Sequence, residues 1–156
     1  MQNIIIPSLV RSFHNIFTSI WIGGMAAILF SVLPAIRHSV EDKSLQNKIT
    51  QNLIKYQSRW VYAGIAILAI TGILMARLSG NISRPFDFSN LYAALLSTKH
   101  ILVIIVSLIA ILRSQMSKRK PKEMKPGQNK IANYLLAANT LLGFAILILS
   151  SILTVI

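Results

Sequence analysis

Four stretches of this sequence stay apolar long enough to decide the fold class: Phe13 to Leu33, Trp60 to Leu78, Leu95 to Leu112 and Ile131 to Ile156. A bilayer core is about 30 Å thick and takes about 20 apolar residues as helix. Away from water, every backbone N–H and C=O must be satisfied within its own segment, so runs of this length are helical. The expected fold is all-α, an integral membrane four-helix bundle in a single transmembrane domain. Its helices should span about 8–36, 60–79, 93–115 and 131–156. The first run is too long for a signal-peptide core and lacks a convincing small-x-small site after it, so it should remain in the mature chain.

Charge orients the bundle. The chain carries 16 Lys or Arg against 4 Asp or Glu, an excess that in a soluble protein would suggest nucleic acid. Here the cations collect between apolar runs without interleaved aromatics, so nucleic acid is not an expected partner. Loop one holds Arg37, Lys43, Lys48, Lys55 and Arg59; loop three runs from Arg113 through Lys118, Arg119, Lys120, Lys122 and Lys125 to Lys130. The opposite side has only Arg11, Arg77, Arg84 and Lys99. The positive-inside rule then puts both basic loops in the cytoplasm, touching anionic lipid heads, and both termini outside. The implied location is the cytoplasmic (inner) membrane, as a multi-pass protein.

Within loop one, Leu45, Ile49, Leu53 and Tyr56 are spaced for a helix lying on the membrane surface between Val40 and Tyr56. The segment SKRKPKEMKPGQNK reads as a linker. In loop two Phe86 and Phe88 should dip into the interface, with an Arg84–Asp87 contact as a turn feature and Pro85 breaking any helix.

Ionisable groups inside a bilayer are costly and mark functional sites by default. His14 lies at the outer end of helix one; Lys99 and His100 lie in the outer part of helix three. Two histidines on neighbouring helices suit a transition metal or haem iron, making His14 and His100 candidate metal ligands. Trp21 and Lys99 complete the candidate cofactor-binding set. The structural alternative is an interfacial imidazole with a lysine that snorkels along its own helix. Depth opposes the pair: His14 is about 34 Å of helix from Arg37, and His100 only about 20 Å from Arg113. The rings are level only if helix three continues past Arg113.

Gly23, Gly24 and Gly72 are expected to let helices approach closely, and Asn139 to hydrogen-bond across the bundle; Thr71 should do so too, or bond back to its own helix. Cysteine is absent from the chain, which excludes disulfides and thiolate sites. The apolar runs contain no Asp or Glu, which removes carboxylate proton relays and hard-cation sites. Met25 and Met75 are soft donors suited to Cu(I), although Met25 is about 16 Å of helix from His14. No nucleophile–base pair, P-loop or dinucleotide fingerprint is present, so a binding role is favoured over an enzyme.

The order His14, Trp21-x-Gly23-Gly24, Pro34, Arg59, Thr71-Gly72, and Tyr92 followed by Leu95-Leu96 and Lys99 resembles the membrane domain of the CopD copper-resistance family. The resemblance covers about residues 10 to 113. It implies copper handled or moved across the membrane, with His14 and Lys99 as the residues that matter; His100 is outside the pattern. A weaker similarity, histidine in helix one and lysine in helix three, points to the HemJ-type four-helix haem proteins. That family's arginine-rich aromatic stretch after helix one is missing here. Three readings follow: a copper-handling membrane protein, a b-type haem protein for electron transfer or oxidation, and an accessory subunit of a homo-oligomer or larger complex.

Overall fold

The computed structural model describes residues 4–78, 86–117 and 128–155. The described residues are helical, with no strand among them: α1 (Ile5–Ala27), a π-helical turn (Ile28–Val32), α2 (Leu33–Ser39), α3 (Lys43–Leu78), α4 (Leu91–Ser117) and α5 (Gln128–Ile152). Four helices among them are long and apolar enough to cross a membrane, the first being the continuous rod Ile5–Ser39. The linker between Ser117 and Gln128, like Arg84 and Pro85 in loop two, lies outside the described residues.

Pro34 explains the wide turn in the first rod. It offers no N–H to the carbonyl of Phe30 one turn back, and its ring would strike that carbonyl in regular α-geometry. The helix takes one π turn instead, in which the Leu33 N–H reaches Ile28 O. Arg37 and His38 then sit in the last turn of α2, where cations favour the carbonyl end of the helix dipole.

The largest departure from expectation is α3. Instead of a surface helix followed by a span over 60–79, one 36-residue helix runs from Lys43 to Leu78. No Pro or Gly interrupts it before Gly64, and its Lys, Gln and Leu residues favour continuation. Asp42 starts it by accepting the Ser44 N–H at 2.8 Å. Ile54 is buried, whereas Leu45 and Tyr56 are exposed, so the inward stripe differs from the one the surface-helix reading used. At the other end Asn90 caps α4, its side-chain oxygen accepting the Ala93 N–H at 2.8 Å. The buried Ser97 hydroxyl donates to Asp87 O at 2.7 Å, tying the end of loop two onto α4.

The helices form a ring in which α1 packs on α3 and α5, and α4 packs on α3 and α5. α1 and α4 therefore face each other across the diagonal. The core on this axis is Trp21, Ile22, Met25, Ile28, Leu33, Val61, Val106, Ala110, Leu136 and Ile146. Between helices in lipid the hydrophobic drive is small, so close packing and interhelical hydrogen bonds hold the ring. The close approach lies at Gly143, where an added Cβ would stand 3.3 Å from Ile22. At Gly23, Gly24, Gly64 and Gly72 it would meet no atom within 4 Å, and Gly23 is exposed. The expected tight seam at Gly23, Gly24 and Gly72 is corrected accordingly: those positions leave open space within the single chain.

A candidate histidine site at the α1–α3 seam

His14, Thr18, Trp21 and Met25 follow each other at helical spacing and share one face of α1. Trp21 and Met25 are buried on that face, and His14 and Thr18 are half-buried above them. Thr18 satisfies itself by donating to His14 O at 2.8 Å.

The His14 ring is held by α3: its Nδ1 lies 2.8 Å from Thr71 Oγ1. The Thr71 hydroxyl proton is already directed at Ile67 O, 2.7 Å away, with Leu68 O at 3.3 Å. Carbonyls only accept, so the threonine oxygen is left to accept from His14 Nδ1–H. That network assigns the neutral imidazole as the Nδ1–H tautomer, with the lone pair on Nε2. Both alternatives anticipated for Thr71, a bond across the bundle and one back to its own helix, occur together.

Lys99 stands at nearly the same depth. Arg113 on α4 donates from Nη1 to Gln57 Oε1 on α3 at 3.2 Å, and the Tyr62 hydroxyl donates to Ser114 at 3.0 Å. Counting outward from these ties along the two antiparallel helices puts Lys99 within about one turn of Thr71. Depth therefore no longer separates α1 from the Lys99–His100 step, because α4 continues past Arg113 to Ser117. Direction does: His100 is exposed, about 100° round the helix from half-buried Lys99. The structure joins His14 to Thr71, sets Lys99 near their level by register, and leaves His100 exposed.

Among the described residues no group of three His, Asp or Glu is placed to hold a metal ion. The soft donor nearest in register is Met75, half-buried one turn beyond Thr71 on the same face of α3. Met25 is committed elsewhere: its sulfur accepts from Asn139 Nδ2 at 3.3 Å, the interhelical bond expected of Asn139. Trp21 Nε1 and Asn139 Oδ1 are buried without a partner among the described residues.

Sequence reasoning counted Arg113 with the cations of loop three, at the end of a helix expected to reach about residue 115. It is a buried helical residue, 7% exposed, with Gln57, Ser114 and Tyr62 forming its surroundings on α3 and α4. Polar residues just inside the end of each apolar run were the available signal. Asp87 is the acid of loop two, and the Ser89 N–H, 2.9 Å from its carboxylate, holds its pKa below the usual carboxylate value. Comparison with protein-family models, curated proteins and solved structures finds no match to this chain.

Proposed function

We propose that this chain is a multi-pass membrane protein that handles copper, taking the ion at His14 in the outer part of the bundle and passing it across the cytoplasmic membrane. The observation that carries the reading is the His14–Thr71 bond. A histidine that ligates a metal characteristically donates its other ring N–H to a fixed acceptor, which orients the ring and raises its basicity. Here Thr71 takes that proton and leaves Nε2 as a donor for a soft or borderline ion. Met75, in the next turn, supplies the chemistry Cu(I) prefers. Of the residues that carry the CopD resemblance, His14 and Thr71 are bonded to each other and Lys99 lies near their level by register, which supports the same reading.

The basic loops lie on the cytoplasmic side and both termini outside, as the cation distribution requires. The site then faces the outer compartment. The role proposed is binding and transfer.

Haem b is the second reading, favoured by one observation: Lys99 is half-buried and forms no ion pair among the described residues, and would suit a propionate. The exposed His100 removes the expected bis-histidine pair, leaving His14 as the single inward imidazole.

Anaerobic Cu(I) titration of the purified chain, with an absorption spectrum, tests both. One copper per chain is expected, lost in His14→Ala while the helical circular dichroism signal persists. A Soret band lost in His14→Ala would move the assignment to haem. Unchanged copper in His14→Ala sinks the site, and metal-free co-purification with larger subunits would leave the accessory-subunit reading in front.

A further inference from the structure

Arg113 is a fully charged group placed where nothing on the described helices neutralises it. Its side chain is 7% exposed, so it does not snorkel into water. One bond is made, from Nη1 to the neutral amide oxygen of Gln57 at 3.2 Å, and Nε is buried with no partner among the described residues. The described acids are remote. Asp87 belongs to the opposite end, and Glu41 and Asp42 precede Gln57 by about 23 Å of helix. A buried guanidinium with one neutral acceptor is strongly destabilising unless an anion completes it.

The surface around it states what kind of anion is at hand. Tyr56, Trp60 and Tyr134 are exposed on α3 and α5, Trp60 by 70% and Tyr134 by 76%. By the same register Tyr56 and Trp60 stand within about one turn of the Arg113 level. Amphipathic aromatics exposed in one band mark the headgroup boundary of a bilayer. Arg59 lies over the Tyr56 ring, 5.7 Å from its centroid, so a cation belongs to the band. On α4, Tyr92 is exposed near the other end, about 32 Å of helix from Arg113, which matches a hydrocarbon core of about 30 Å. Arg113 is therefore level with the lipid phosphates. Exposed Leu112 lies next to it on α4 and exposed Tyr62 stands on facing α3. The neighbouring buried Ser114 hydroxyl accepts from Tyr62 and keeps its own proton to donate.

We propose that Arg113, with Ser114 beside it, binds the phosphate of an anionic lipid that enters from the α3–α4 side at the basic end of the bundle. The bound phosphodiester supplies the counter-anion that the described residues do not, and the guanidinium's remaining donors suit two of its oxygens at once. The proposal is independent of the histidine site, which lies about 21 Å away along the bundle.

The test is native mass spectrometry of the detergent-purified full chain, titrated separately with phosphatidylglycerol, phosphatidylcholine and inorganic phosphate. One phosphatidylglycerol per chain should survive detergent release, with phosphatidylcholine retained far less. Arg113→Gln should weaken retention about tenfold or more, the loss of charge-assisted hydrogen bonds. Arg113→Lys keeps the charge without the fork and should weaken it by a smaller factor, which decides the matter if the glutamine variant does not fold. Arg11→Gln, an exposed cation at the opposite end, should change nothing. Equal retention by the parent and every folded Arg113 variant overturns the proposal. So does an inorganic phosphate adduct that depends on Arg113 while the lipid is indifferent, since the anion would then be soluble. Strong coupling between Arg113→Gln and Glu123→Gln in a stability cycle would overturn it too, by assigning the counter-charge to the chain itself.

Discussion

A single hydroxyl proton decides how the His14 ring is held. Because Thr71 gives its proton to its own helix, it can only receive from His14. Thr71→Val keeps the shape and deletes the acceptor, so Nδ1–H loses its partner and the ring its orientation. Affinity for the proposed copper ion should fall about 10- to 100-fold, the usual cost of removing such support, while Thr71→Ser stays near the parent. Equal affinity in the valine variant would show that the bond is incidental to binding. Asp87 gives a smaller, pH-dependent case. Its folded pKa is depressed by the Ser89 N–H, so its contribution is present above the unfolded carboxylate value. It is lost as the pH falls through the folded one. An acid titration of parent and Asp87→Asn, followed by thermal melting, should show the two converging at low pH. At this scale the sequence was legible where a residue type is rare in its setting. His14 and Lys99 stand out in apolar runs, whereas Arg113 looked ordinary because cations follow it at once. Whether a residue near a run's end faces water or a neighbouring helix depends on azimuth, and azimuth is a tertiary quantity.

Helices one, three and four of the expected set were readable because periodicity and length over twenty-odd apolar residues leave no other option. The second was misjudged at its start, since amphipathic spacing cannot distinguish a surface-lying helix from a straight continuation; the distinction is a missing breaker. Asn90 fixes the start of α4, and Asn90→Ala should cost about 1 kcal/mol by thermal or denaturant unfolding in detergent. The seam between α1 and α5 offers a sharper contrast. Gly143→Leu should destabilise by about 1–3 kcal/mol, because a side chain there runs into Ile22. Ile22→Ala should recover part of that loss in the double variant. Gly23→Leu points into open space and should unfold like the parent. If the two glycines respond alike, the α1–α5 contact is looser than described.

For the molecule as a whole, the ring order places the polar groups at two levels joined by an apolar axis: an imidazole and an amine at one, a guanidinium at the other. Both were visible as residues, but only the interhelical ties showed that they are stacked rather than scattered. The proposed orientation is checked by single cysteines at the exposed positions Ser44 and Ser89. In intact cells an impermeant thiol reagent should label Ser89→Cys and spare Ser44→Cys, and the reverse pattern would invert the bundle. The wide turn before Pro34 has a consequence for how this chain tolerates changes of length. A π turn holds one residue more than the α-helix it interrupts, so the faces of α1 and α2 are already phased around a surplus residue. Removing Leu29 in a Pro34→Ala background should close the turn to ordinary α-geometry and keep Ile22, Met25 and Leu33 pointing inward. A deletion, elsewhere in a membrane helix a rotation of everything beyond it, should here melt within a few degrees of the parent.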